Sequence, residues 1–91
     1  MTEPRTEDTL LEFPCEFPIK IMGLTRDDFA QTILEIVRRH APDFEGATME
    51  MRSSSSAKYL SLTCTIQARS KAQLDELYRE LSKHEMVKIV L

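Results

Sequence analysis

Apolar and polar positions fall into six consecutive patterns along this chain. Phe17, Ile19 and Ile21 share one face of an alternating stretch that Gly23 ends, the period of a half-buried strand. Phe29, Ile33, Ile36, Val37 and His40 then recur at helical spacing. Thr25 reads as the N-cap of that helix, with Asp27 and Asp28 in its first turn, and Pro42 stops it after Arg38, Arg39 and His40. Gly46 opens a second strand with Met49 and Met51 inward and Thr48, Glu50 and Arg52 outward. Ser53 to Ser56 form a hairpin connection without a turn glycine, which predicts a long, loose loop. Residues 58–68 alternate most cleanly, with Leu60, Leu62, Cys64, Ile66 and Ala68 on one side. Tyr59, Ser61, Thr63, Thr65 and Gln67 lie on the other, so the strand has one face left to water or a partner. Ser70 followed by Gln73 is a capping box, and Leu74, Leu77, Tyr78 and Leu81 make the apolar stripe of a second helix. Val87, Ile89 and Leu91 predict a last strand that faces inward.

The order is βαββαβ. It predicts an α+β fold, the ferredoxin-like two-layer sandwich, with an antiparallel sheet in the order 4-1-3-2 and both helices on one face. Residues 10–91 are expected to be a single domain, and residues 1–9, polar and interrupted by Pro4, a flexible acidic leader. Leu10, Leu11 and Phe13 form a small apolar cluster, and Pro14 and Pro18 suggest an irregular lead-in rather than part of a central strand.

Charge sharpens the functional side of this picture. The chain carries a net charge of −3, and Glu3, Glu7, Asp8 and Glu12 against Arg5 account for it, leaving residues 13–91 neutral. A neutral domain behind an acidic leader lacks the basic footprint of non-specific nucleic-acid binding and of attachment to anionic membranes. No apolar run approaches the roughly 20 residues of a membrane span, and no basic, apolar secretory leader opens the sequence. A cytoplasmic protein is expected, with Cys15 and Cys64 as reduced thiols.

The segments Leu10-Leu11-Glu12-Phe13-Pro14 and Phe17-Pro18-Ile19-Lys20-Ile21-Met22-Gly23 resemble the opening of the YbeD-like family of small bacterial proteins. The likeness continues through Arg39-His40-Ala41-Pro42, the serine run with Lys58-Tyr59, and Val87-Lys88-Ile89-Val90-Leu91, in order along residues 10–91. It implies a ferredoxin-like fold similar to ACT regulatory domains and says little about chemistry, because the family's function is uncharacterised. ACT domains bind an amino acid or similar effector near the turn after the first strand, often at a dimer interface, and Gly23 occupies the matching turn.

Candidate chemistry is sparse. The topology sends His40 and His84 to opposite ends of the sheet, and neither cysteine joins them, so no metal site and no cofactor are expected. Ser53 to Ser56 lack a positioned base, and the carboxylates are scattered over helix surfaces, so no catalytic residues are assigned and an enzyme is not expected. One candidate ligand site groups Gly23, Thr25 and His84, where the start of the first helix offers free N–H groups to a carboxylate or amino acid. Against it stand Asp27, Asp28 and the plain reading of a glycine that ends a strand. A candidate partner surface joins Met22 to Met86 and Val90 on the helix-free face. Leu10, Leu11 and Phe13 could cover that surface, or a second copy or another protein could pair there. Tyr59 is the one aromatic on this face, which argues against RNA recognition by base stacking. The expected function is a small non-enzymatic regulatory or protein-interaction module. The alternative is a small-molecule sensing domain for an amino acid or carboxylate, and RNA binding ranks below both.

Overall fold

A computed structural model describes residues 12–91. Its elements are β1 (Cys15–Leu24), α1 (Phe29–His40), a 3-10 turn (Gly46–Thr48), β2 (Glu50–Ser53), β3 (Tyr59–Ala68), α2 (Lys71–Lys83) and β4 (Val87–Val90). The four strands form one antiparallel sheet in the order β2-β3-β1-β4, which is the expected ferredoxin-like arrangement. The predicted leader and the pair Leu10 and Leu11 lie outside the described residues, whereas Phe13 packs against the core.

The core forms where the alternation of β1 and β3 meets the two helical stripes. Ile19, Ile21, Leu62, Cys64 and Ile66 from the sheet meet Phe29, Ile33, Ile36 and Val37 from α1 and Leu74, Leu77 and Leu81 from α2. All are at most 5% exposed, so close packing of these side chains is the main source of stability. Burial also pushes the Cys64 thiol up, from 9.0 to about 11.

The helix ends differ in how they are held. Ser70 accepts a hydrogen bond from the Gln73 N–H at 3.1 Å, as its capping pattern predicts. The Gln73 side chain then accepts from the Arg69 N–H and donates to the His40 carbonyl at 2.8 Å, tying the start of α2 to the end of α1. His40 Nε2 and Arg39 reach Glu80 at 2.7 and 2.6 Å and tie the C-terminal end of α1 to α2. Thr25, by contrast, is not a helix cap. Its N–H donates to the Lys58 carbonyl at 2.9 Å and extends the β1–β3 ladder, and α1 begins only after Asp28.

Three further expectations need correction. β1 starts at Cys15 and runs unbroken through Pro18, which pairs with Thr65. Lys20 exchanges both backbone hydrogen bonds with Leu91, so even-numbered residues of β1 turn their polar groups toward β4. Two residues back, the N–H that Pro18 lacks would point to the β4 side, beyond the last pair that β1 and β4 make, so no bond of the β1–β3 ladder is lost and the central strand tolerates the ring. The serine hairpin is pinned, not loose. Ser54 Oγ accepts from the Tyr59 N–H, Ser56 Oγ accepts from the Lys58 N–H, and Ala57 takes the left-handed conformation (φ 62°) that a glycine would ordinarily supply.

The third correction concerns β4. Its register pairs Ile21 with Val90 and Met22 with Ile89, then shifts at a bulge so that Gly23 faces Val87. One extra residue exchanges the two faces of everything beyond it. Val90, expected outward, packs against the core, while Ile89 and Leu91, expected inward, are 48% and 68% exposed.

Candidate interaction surface

Both helices cover the same side of the sheet, which leaves the other side open. Even-numbered residues of β1 and odd-numbered residues of β3 point there, and the register sets them in rows. Met22 lies between Ile89 and Ser61, with Arg52 beyond Ser61. Lys20 lies between Leu91 and Thr63, with Glu50 beyond Thr63. Apolar side chains thus gather on the β4 side, where Met22 and Ile89 adjoin the exposed Leu24 and Leu91, and charged ones gather toward β2.

Two adjoining hollows mark this face. One, of about 280 Å³, is lined by Lys20, Glu50, Met51, Arg52, Ser61 and Thr63. The other, of about 220 Å³, is lined by Lys20, Met22, Arg52, Ser53, Ser54, Tyr59 and Ser61 and is mainly apolar. Lys58 sits over the Tyr59 ring at 5.8 Å, a cation–π contact at the rim. Among the described residues, neither Lys20 nor Arg52 has a carboxylate within 4 Å, although other cations of the chain do. A third hollow, at the far end of β3, is bordered by Glu16, Asp43 and Glu45 and is acidic in character.

The residues singled out from sequence are only partly brought together here. Gly23 is buried inside β1, and a Cβ on it would stand 2.2 Å from the Met86 carbonyl oxygen and 2.7 Å from the Phe29 ring. The close approach that its lack of a side chain allows is therefore taken by the protein's own chain. Thr25 is exposed two residues further on, and the Arg26–Asp28 pair at 3.2 Å stands before the helix start. His84 caps the end of α2, and its Nδ1 accepts from the Met86 N–H at 3.2 Å. Of the predicted partner residues, Met22 lies on the open face, whereas Met86 and Val90 pack against the core. Ile89 and Leu91 take their places, residues that simple alternation hid. Lys20, Arg52, Tyr59, Ser61 and Thr63 were readable as outward positions, but their convergence follows only from the register.

Among the described residues, no group of three or more His, Cys, Asp or Glu side chains could hold a metal ion, and no helix is long and apolar enough to cross a membrane. Strand order, helix placement and open face together define a small domain of the ACT-like ferredoxin class. Solved structures agree on this fold. The solution structure of protein HP0495 from H. pylori matches with a TM-score of 0.72 at 18% identity, covering 89% of this chain and 85% of that one. The ACT domain from GTP pyrophosphokinase of Chlorobium tepidum matches with a TM-score of 0.63 at 18% identity, covering 84% of each. The chain belongs to the family described as "Protein of unknown function (DUF493)", which matches residues 8–91, and the YbeD-like resemblance is borne out. UPF0250 protein NE1487 of Nitrosomonas europaea is 56% identical over 86 residues, 94% of this chain and 99% of that protein. UPF0250 protein RSc0326 of Ralstonia nicotianae is 51% identical over 90 residues, 99% of this chain and 91% of that protein.

Proposed function

We infer that this chain is a small regulatory or protein-interaction module of the cytoplasm, without catalytic activity of its own, and that it works through the helix-free face of its sheet. The observation that carries this reading is the apolar strip of Met22, Ile89, Leu24 and Leu91 beside β4. β4 is an edge strand, and an edge flanked by uncovered apolar side chains favours strand or face pairing with a second polypeptide. A second copy of this chain is the simplest occupant, because an edge strand paired with its own copy about a two-fold axis is self-complementary.

Sedimentation velocity over a wide concentration range tests this. A dimer in the parent that becomes monomeric in Ile89→Asp supports pairing at the strip. A parent that stays monomeric at every concentration removes self-pairing and leaves a different protein as the partner. A dimer that survives both Ile89→Asp and Met22→Asp places the contact elsewhere and overturns the reading.

A further inference from the structure

We propose that the two hollows of the open face form one binding site for a small phosphomonoester with a compact apolar or ring substituent. The inference goes beyond the pairing strip, with which it shares only Met22: it rests on Lys20, Arg52, Ser61 and Thr63 for the phosphate, and on Tyr59 with Met22 for the substituent.

Register places the two cations on one diagonal, with the Ser61 and Thr63 hydroxyls of β3 between them. Lys20 is opposite Thr63 and Arg52 is opposite Ser61, so they sit on the outer strands of a three-strand diagonal with β3 between them. Standard strand spacing puts their Cα atoms roughly 12 Å apart, within reach of two long side chains that meet over Ser61. Both hollows share Lys20, Arg52 and Ser61, which makes that point their junction. The cations have no carboxylate within 4 Å among the described residues, and there the Ser61 and Thr63 hydroxyls make no side-chain hydrogen bond. An ammonium, a forked guanidinium and two hydroxyls offer more donors than the two oxygens of a carboxylate use, and they suit the several acceptor oxygens of a phosphate. The mainly apolar hollow continues from the junction toward Met22 and Tyr59, so a phosphate held there projects its substituent onto a thioether and a phenol ring. Glu50 lines the same polar hollow, opposite Thr63, and opposes the negative charge, which gives the site a built-in control.

The test follows backbone amides by NMR at constant ionic strength during titration with phenyl phosphate, inorganic phosphate and benzoate. Saturable shifts are expected at Lys20, Arg52, Ser61 and Thr63, with phenyl phosphate several-fold tighter than inorganic phosphate and benzoate weakest. Lys20→Gln and Arg52→Gln should each weaken phenyl phosphate about fivefold, the order expected for an exposed charge-assisted contact. Glu50→Gln should tighten it, and Ile89→Asp should leave it unchanged, so the site stands or falls apart from the pairing strip. All four positions are exposed, and the unshifted remainder of each spectrum confirms folding. Benzoate binding as tightly as phenyl phosphate overturns the phosphate assignment. Non-saturating shifts, or an affinity that ignores Arg52→Gln, overturn the site.

Discussion

The two faces of this sheet are made by the same strands and obey opposite rules. On the covered face Ile19, Ile21, Leu60, Leu62, Cys64, Ile66 and Ala68 are all at most 7% exposed and touch helix side chains or one another. On the open face Lys20, Thr65 and Gln67 are exposed and Met22, Ser61 and Thr63 half-buried, with hollows between them. Stability is therefore concentrated on one side and freedom to vary chemistry on the other. A strand that alternates strictly can serve both, because neighbouring residues never share a face. Substitutions that add or remove volume on the covered face should be costly, whereas the open face should accept changes of charge with little loss of stability.

Gly23 offers the largest test of that contrast. Alanine there would place its Cβ 2.2 Å from a backbone oxygen, that of Met86, and 2.7 Å from the Phe29 ring at the centre of the core. Neither neighbour is the free end of a flexible chain, so β4 or α1 must move. Gly23→Ala should lower the unfolding free energy by about 3 kcal/mol, the upper range for overpacking a core. Gly46 is the control, since the Cβ of an alanine would meet the Leu34 methyl groups at 3.1 and 3.2 Å, and those can rotate away. Urea denaturation of the two variants should separate them clearly. Equal losses would mean that the Gly23 contact is softer than the geometry indicates.

Cys64 carries the next effect, through pH. Its thiol lies on the covered face at 0% exposure, and burial pushes it up from 9.0 to about 11. Below pH 9 the folded and unfolded chains both hold that proton, and stability does not depend on it. As the pH rises from 9 toward 11 the unfolded chain loses the proton while the folded chain keeps it, so stability falls through this window. Cys64→Ala starts lower because it leaves a small void, yet its stability should decline less steeply between pH 9 and 11. Parallel slopes for the two proteins would show that the thiol ionises as readily folded as unfolded.

Much of this contrast is legible in the sequence, and the failures share a cause. β3 and α2 are readable because each follows an unbroken period, Leu60 to Ala68 in twos and Leu74, Leu77 and Leu81 behind the Ser70–Gln73 cap. The outward set on β3 follows at once, including the hydroxyls of the proposed site. β4 is misread because the bulge opposite Met22 and Gly23 depends on how two distant strands meet, and no pattern within 87–91 announces it. Pro18 misleads for the same reason, since its missing N–H matters only in relation to where β4 runs. Gly23 draws attention as a ligand turn, whereas the carbonyl and ring that fill its space come from elements 6 and 63 residues away. Thr25 is a good cap residue by type, but the ladder to Lys58 claims its backbone before the helix begins. Local periodicity thus specifies elements and faces, while register decides which outward residues become neighbours.

The smallest effect lies at the hairpin, beyond the reach of either face, where backbone geometry rather than packing should set the stability. Ala57 is exposed and holds φ at 62°, a conformation that costs an L-residue with a Cβ roughly 1–2 kcal/mol. Glycine removes that cost but has more freedom to lose on folding, which returns roughly 0.5–1 kcal/mol. Ala57→Gly should therefore stabilise the protein by about 0.5–1 kcal/mol, and Ala57→Val, with a branched Cβ, should destabilise it. The serine bonds that pin the loop, Ser54 Oγ to the Tyr59 N–H and Ser56 Oγ to the Lys58 N–H, do not involve the Ala57 side chain and should persist in both variants. Slow hydrogen exchange at Tyr59 in both variants, together with a higher melting temperature for Ala57→Gly, is the expected result. A lower melting temperature for the glycine variant would mean that the loop's rigidity in the parent comes from Ala57 itself.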